Sequence, residues 1–349
     1  MRSIEVTRTG ELSVRDSPEP EVSPGFVVLQ VEAVGICGSD IHLIDGHFPS
    51  ARYPVRPGHE LTGTIVQSGS SAAELTPGTR VCVDPGIPCR MCRGCRSGRT
   101  NLCENRQALG ITRPGGAAEL ALVPEENCYP VSAGLAPERA VFCEPLACVI
   151  HALDRIPGGA VPDRVVVFGA GTVGLLATQV LAHLGAGRVD VVEPNENRHP
   201  LAGKSASGEV ATSPDSLDSD AGWDVVIDAS GAPQAIRQAI RRVRRGGTYV
   251  QLGVAPVGAT IPIEPYDLFA RELTVVGSMT TLNSFARAVS MLEAGHVDVA
   301  PLAGRPYPLE AYAEAVAATR RGDEVKTLVR PGGTSGHDTV PRGSSAGLT

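Results

Sequence analysis

Four cysteines lie close together in the segment CRMCRGCRSGRTNLC. Two residues separate Cys89 from Cys92 and Cys92 from Cys95, and seven separate Cys95 from Cys103. Such short spacings let one loop wrap a tetrahedral ion with four thiolates, a donor set that suits Zn²⁺. The loop is rich in Gly and Arg and has no apolar pattern of its own, so a metal would supply the energy that orders it. Arg90, Arg93, Arg96 and Arg99 would offset the thiolate charge. An iron–sulfur cluster and a zinc-knuckle nucleic-acid module are the alternatives. The acidic net charge and the lack of interleaved aromatics disfavour the second. Further donors are scattered: Cys37 in VGICGSDIHLIDG, His59 and Glu60 in PGHE, and Glu144 in FCEPLACVIHAL. A catalytic zinc needs about three protein ligands and one open position. Cys37, His59 and one of the two glutamates would supply them, and the other glutamate could hold a water.

A third group would hold a nucleotide. Gly169, Gly171 and Gly174 form GAGTVG, which also includes Thr172 and Val173. The motif follows an apolar strand and opens a helix, the context a dinucleotide fingerprint requires. The first glycine permits the tight turn and the second lets backbone approach a pyrophosphate. The third lets helix and strand pack closely. Glu193 ends the next strand, 22 residues after Gly171. An acid there bonds ribose hydroxyls and repels a 2′-phosphate, which favours NAD. Arg198 nearby could instead accept a phosphate or lie along the adenine.

Two kinds of element must position these groups. Before Pro145 the chain reads as short strands broken by turns, at Phe26–Val31, Leu61–Val66 and Gly78–Val83. An antiparallel, partly closed β-domain is expected. Leu146–Ile156 reads as a buried helix. From Val165 strands alternate with helices, with further strands at Asp224–Asp228, Thr248–Leu252 and Leu273–Val276 and a helix over Ala232–Arg245. That alternation predicts a doubly wound parallel sheet. Helices and a last strand, VKTLV, follow Ser284, and the Gly- and Ser-rich tail over 333–349 reads as disordered.

Composition bounds the rest. With 349 residues, two domains are the prior. Against 31 Lys and Arg stand 38 Asp and Glu, a net charge of −7, so no basic footprint for nucleic acid exists. No apolar run reaches membrane-span length and no signal peptide is visible in MRSIEVTRTGELSVRD. A cytoplasmic protein is expected, with its nine cysteines reduced or metal-bound.

Together GICGSD, GHE, the four-cysteine lobe, EPLA and GAGTVG resemble the zinc-containing medium-chain alcohol dehydrogenases, in the branch with sorbitol and threonine dehydrogenases. The resemblance covers nearly all of residues 1–332. It implies an α/β fold in which a GroES-like, partly closed β-barrel catalytic domain (1–150 and 284–332) joins a Rossmann NAD domain (151–283). It implies Cys37 and His59 as catalytic zinc ligands, with Glu60 and Glu144 ligating directly or through water. Ser39 would receive the substrate proton, His42 relay it near the ribose, and Asp40 orient the ligand histidine. Gly231, Leu252, Gly253, Gly277 and Ser278 match cofactor loops. Cys143 precedes Glu144, and other branches place a cysteine ligand here, but EPLA aligns Glu144 with that position. Cys82, Cys128 and Cys148 read as buried core thiols.

The activity implied is reversible NAD-dependent oxidation of a secondary alcohol, of polyol, cyclitol or sugar-derived type, to a ketone, by a homodimer or tetramer. One departure is GSMTTLN: Thr280 and Thr281 stand where polyol dehydrogenases often carry an Arg. A threonine-type amino-alcohol dehydrogenase is the rival enzyme. An NAD-binding sensor with structural zinc alone is the rival of another class.

Overall fold

In the computed structural model the chain is described over residues 1–48, 50–159, 161–217 and 221–332; the expected tail lies outside them. The chain begins with a hairpin, β1 (Arg2–Val6) against β2 (Leu12–Asp16). Then comes β3 (Phe26–Ile36), 11 residues long and longer than its apolar run FVVLQV. A short helix, α1 (Gly38–Ile44), leads to β4 (Glu60–Ser68) and β5 (Arg80–Val83). The cysteine lobe carries α2 (Arg93–Arg96) between β6 (Gly86–Ile87) and β7 (Gln107–Ala108). After it follow β8 (Leu120–Pro124), β9 (Cys128–Pro130) and α3 (Pro137–Ala140).

The long helix α4 (Cys143–Asp154) starts the change of pattern. Next come β10 (Arg164–Phe168), α5 (Thr172–Leu184), β11 (Arg188–Val192), α6 (His199–Ala202) and β12 (Val210–Ala211). They are followed by β13 (Trp223–Asp228), α7 (Pro233–Arg241), β14 (Val243–Gln251), α8 (Pro265–Ala270) and β15 (Thr274–Gly277). These six strands form one parallel sheet in the order β12-β11-β10-β13-β14-β15. Val165–Phe168 of β10 are buried throughout, as a central parallel strand covered on both faces must be. Strand order reverses between β10 and β13, which opens the crevice where ligands bind in such sheets. The helix expected over Ala232–Arg245 stops at Arg241. Arg242 O accepts the Trp223 N–H and Val243 registers with Trp223, so sheet pairing captures the chain there.

The chain then returns to the first sheet through α9 (Phe285–Glu293), β16 (Ala303–Pro308), α10 (Tyr312–Arg321) and β17 (Lys326–Arg330). That mixed sheet runs β16-β17-β3-β4-β5-β9, with β8 also on β3. Its apolar core takes Leu29, Val31 and Ile65 from the strands and Tyr312 and Val316 from α10. A second core, around Phe142, Leu146, Leu175 and Phe285, joins α4 to α5 and α9. The architecture is therefore α/β, an open GroES-like sheet beside a Rossmann sheet.

Candidate active site

The antiparallel register of β3 and β4 pairs Gly35 with Glu60. Cys37, two residues past Gly35, therefore meets His59, one residue before Glu60. Ligand atoms of Cys37, His59 and Glu60 all lie within 4.8 Å of one another. His59 is buried, with Nδ1 3.3 Å from Asp40 Oδ1 and Nε2 3.3 Å from Ser39 Oγ. Asp40 Oδ2 accepts the Cys37 N–H at 2.8 Å. Burial opposes the charge on Asp40, but His59 and this N–H outweigh it and hold the carboxyl below its ordinary value. Burial likewise opposes a charged His59, and Asp40 overrides it to raise the imidazole well above its usual range. With Asp40 behind Nδ1, Nε2 is left toward Ser39 and the donor cluster, the orientation a metal ligand needs.

Glu60 has a partner that sequence reading did not find. Lys326 Nζ, at the start of β17, donates to both Glu60 oxygens at 2.7 and 2.6 Å, and both side chains are buried. Burial would strip the lysine of its proton, but Glu60 reverses this and raises its pKa. Gly35 makes room for the pair, because a Cβ there would overlap Glu60 Oε2. A buried Lys inside an apolar strand must be paired, and that was the available signal.

Glu144 sits in the first turn of α4, outside the 4.8 Å cluster yet within electrostatic reach of His59 and Glu60. Burial pushes its carboxyl up to about 7. Cys148, one turn on, places Sγ 3.5 Å from Glu144 Oε1. It is half-buried beside the site and not the core thiol expected, because α4 turns one face to the cluster. Cys143 points the other way, into the core that also holds Cys82. Cys128 is buried, as expected. His42 lies half-buried on α1.

The four lobe sulfurs also lie within 4.8 Å of one another. Backbone N–H groups of Cys89 and Cys92 point at Cys103 Sγ and Cys89 Sγ, at 3.2 and 3.4 Å. N–H groups of Met91 and Cys92 draw the Cys89 thiol down to about 6, whereas burial sends Cys95 up to about 12. Backbone N–H groups of Cys95 and Glu104 lower the Cys92 thiol as well, so backbone favours two thiolates, and a cation would be needed to deprotonate all four together. The donor set fits Zn²⁺. Arg90 corrects the charge-offset expectation: it pairs with Glu126, 2.6 Å away.

The nucleotide cleft holds about 520 Å³ and is lined by Gly169, Gly171, Glu193, Arg198 and Ser230 among others. A Cβ on Gly174 would overlap the Gly169 carbonyl oxygen, so α5 could not approach β10 with any other residue. A Cβ on Gly171, by contrast, would meet nothing within 4 Å; that space faces the cleft. Gly171 caps α5, so the helix N-terminus there can face phosphates. Thr172 Oγ1 is held by Val325 O at 2.9 Å, which leaves Thr172 and Val173 to act through backbone. Glu193 accepts the Ala170 N–H at 2.7 Å and the Asn195 N–H at 2.9 Å, with Arg198 3.8 Å away. It therefore braces the glycine turn as well as facing the cleft. Asp228, which the sequence reading missed, accepts from Ser230 Oγ at 2.6 Å, Gly231 N at 2.9 Å and Gln251 Nε2 at 2.8 Å. Its signal was an acid closing an apolar strand. Gly253 N bonds Asp228 O, and Ser278 N bonds Gln251 O. Thr281 reaches across to Asp84 on the other sheet's side, at 3.1 Å.

Comparison with known proteins follows the same division. A family model described as the alcohol dehydrogenase GroES-like domain matches residues 23–133, and one described as zinc-binding dehydrogenase matches 172–294. The chain is 32% identical to D-altritol 5-dehydrogenase of Agrobacterium fabrum over 318 residues, 88% of this chain and 93% of that one. It is 35% identical to D-xylulose reductase A of Aspergillus niger over 335 residues, 90% and 92%. A crystal structure of a protein described as a zinc-binding dehydrogenase, from Sinorhizobium meliloti 1021 and bound to NADP, superposes with a TM-score of 0.89 at 35% identity. That match covers 95% of this chain and 99% of the other.

Proposed function

The chain belongs to the zinc-containing medium-chain alcohol dehydrogenase family and is an oxidoreductase of CH–OH groups, and from that premise we propose that it oxidises a polyol-type secondary alcohol to a ketone with NAD. The observation that carries this reading is the meeting of Cys37, His59 and Glu60 in one 4.8 Å cluster, with Glu144 beside it. The D-altritol and D-xylulose activities named for its relatives support a polyol substrate.

Cys37, His59 and a carboxylate from Glu60 or Glu144 would hold a catalytic zinc, and the four lobe cysteines a structural one. Zinc bound at the first site supplies a Lewis acid that lowers the pKa of a secondary hydroxyl. Ser39, whose Oγ is 3.3 Å from His59 Nε2, takes the hydroxyl proton and passes it toward His42 and solvent. Asp40 keeps His59 in register throughout. A nicotinamide bound in the cleft would supply the acceptor for the carbinol hydrogen and its electron pair. One alcohol and one NAD⁺ thus give one ketone, one NADH and one proton. The glycine turn and α5 would hold the pyrophosphate, and Glu193, Gly231, Gly253 and Ser278 would line the rest of the nucleotide. Glu193 favours NAD, and the NADP in a related crystal structure makes the cofactor preference worth measuring.

Residues 1–150 with 284–332 are read as the catalytic unit and 151–283 as the cofactor unit. The edge of β15, unpaired among the described residues, supports a homo-oligomer. All nine cysteines are free and no helix among the described residues is long and apolar enough to cross a membrane. The four-cysteine lobe, read as a metal site in place of a disulfide framework, supports a cytoplasmic address.

The test is NAD(P)H formation by zinc-quantified protein against polyols, cyclitols, aminocyclitols, threonine and simple secondary alcohols. Polyol turnover with NAD, lost on chelation and restored by zinc, is expected. Turnover of threonine alone would move the protein to the amino-alcohol class. NAD binding with one zinc and no turnover would make it a sensor.

A further inference from the structure

A cavity of about 350 Å³ lies where the segment after β2, the start of β3, β8 and the base of the cysteine lobe meet. Among the described residues it shares no lining with the nucleotide cleft and includes none of Cys37, His59, Glu60 or Glu144. Its walls are largely apolar and include Pro18, Phe26, Ile87, Leu109, Leu122 and Pro124.

One charge enters these walls without a counterion. Arg56 lines the cavity and is half-buried. Its Nε is sealed in the protein with no hydrogen-bond partner, so a ligand can meet only its two terminal nitrogens. Burial lowers the pKa of the guanidinium, and no neighbouring carboxylate opposes the shift. Buried arginines are almost always paired, because an unpaired charge is costly away from water. The chain has 38 Asp and Glu from which to draw a partner, yet none among the described residues is set against Arg56. Glu19, the one acid on the described lining, is exposed and forms no ion pair with it. Arg113 adds a second guanidinium to the same lining, exposed and steadied by its Nε donating to Gln107 Oε1 at 2.7 Å.

The backbone that carries Arg56 is held firmly. Gly115 N donates to Arg56 O at 2.9 Å, Ala117 N to Pro57 O at 3.0 Å and Gly116 N to Gly58 O at 2.8 Å. A Cβ on Gly115 would stand 2.4 Å from Pro57 O, so the two segments pack without slack. The position of Arg56 is thus set before a ligand arrives, which lowers the cost of binding.

Chemistry narrows the occupant. A planar guanidinium matches a carboxylate through two parallel hydrogen bonds. A phosphate ester would need several donors at once, and these walls are apolar. A volume of about 350 Å³ is at the lower end of ligand pockets and suits a body of roughly ten heavy atoms.

We propose that this cavity binds a small organic carboxylate with an apolar body, its carboxylate meeting Arg56 end-on and its body lying against Pro18, Phe26 and Leu122. The site is separate from the polyol-oxidation reading and does not depend on it.

The experiment is calorimetric titration of the zinc-loaded full chain with phenylbutyrate, phenylbutyramide and acetate, in native protein, R56M and C37S. Phenylbutyrate should bind native and C37S protein alike, with the amide and acetate each weaker by about tenfold or more. R56M should weaken phenylbutyrate by about tenfold or more and leave the amide unchanged. Methionine keeps the packing of the arginine stem and removes the unpaired charge, so ligand-free R56M should melt no lower than the native chain. A lower melting temperature would show that the guanidinium already has its partner within the fold, and would overturn the site. Equal affinity for acid and amide, or for native and R56M, would also overturn it. Binding lost in C37S would assign the acid to the Cys37–His59 cluster instead. If no probe binds, the proposal fails, and a light-scattering mass that falls in R56M would then give this face to a second copy of the chain.

Discussion

Among the described residues Lys326 hydrogen-bonds to the donor cluster through Glu60, and its effect can be separated from the metal's. Removing one partner of a buried ion pair strands the other charge, at a cost of about 3–5 kcal/mol. Lys326→Met should therefore lower the melting temperature by several degrees even in zinc-free protein, while Lys326→Arg restores part of it. Equal melting of native and K326M zinc-free protein would count against the pair. At this scale most of the site was legible because residue type and short spacing carry it. Four cysteines in one loop, Gly-His-Glu in a turn and three glycines at fixed intervals each imply their chemistry locally. Lys326 was not legible, since Glu60 lies 266 positions away and only sheet pairing brings the two together. Asp84 and Thr281 escaped for the same reason, 197 positions apart. Cys148 was misread because a half-buried thiol and a core thiol look alike until the helix face is known.

Elements hold these residues with unequal security. Helix α5 can sit on β10 only while Gly174 lacks a side chain. Gly174→Val must push the helix away and with it the N–H groups facing the cleft. NADH affinity, read by fluorescence titration, should fall at least roughly tenfold, with overpacking costing about 1–3 kcal/mol. Unchanged affinity would count against the cofactor assignment. The cysteine lobe is held differently: α2 buries no residue, and the lobe's few anchors to the rest of the chain include Asn101 bonded to Met279 O and Arg90 paired with Glu126. Cys95→Ser should lose one zinc per chain and make the segment 89–103 the first site of protease cleavage. A lobe as resistant as the native one would refute structural zinc. Elements were read well where apolar periodicity was long, as in β10 and α5. They were read poorly where sheet pairing overrode propensity, as at Arg242, where a basic helical run turns into strand β14. β3 outgrew its apolar run because three partner strands, β4, β8 and β17, pair along it.

Across the whole molecule, the six-stranded sheet ends on β15, whose outer side has no partner strand among the described residues. Around it Val254, Val257, Tyr266, Phe269 and Val275 are exposed, an apolar margin on a bare strand edge. Two copies joined edge to edge would cover it. Val275→Lys, with Val275 49% exposed on β15, should shift the mass measured by light scattering toward the monomer. An unshifted mass would place the contact elsewhere. The division into an open sheet and a doubly wound sheet was legible from the change of pattern near Pro145. The closure of the first sheet by strands from the far end of the chain was visible only as a terminal VKTLV. That closure orders events in time. On a ribosome, β3, β4 and β5 emerge first, but β17 emerges only after all six strands of the other sheet. The sheet begun first is thus completed last. Until Lys326 is synthesised, Glu60 lacks the cation that both of its oxygens accept from, and the donor cluster cannot settle in its final geometry. A nascent chain would be competent to hold nucleotide before it could hold metal for catalysis.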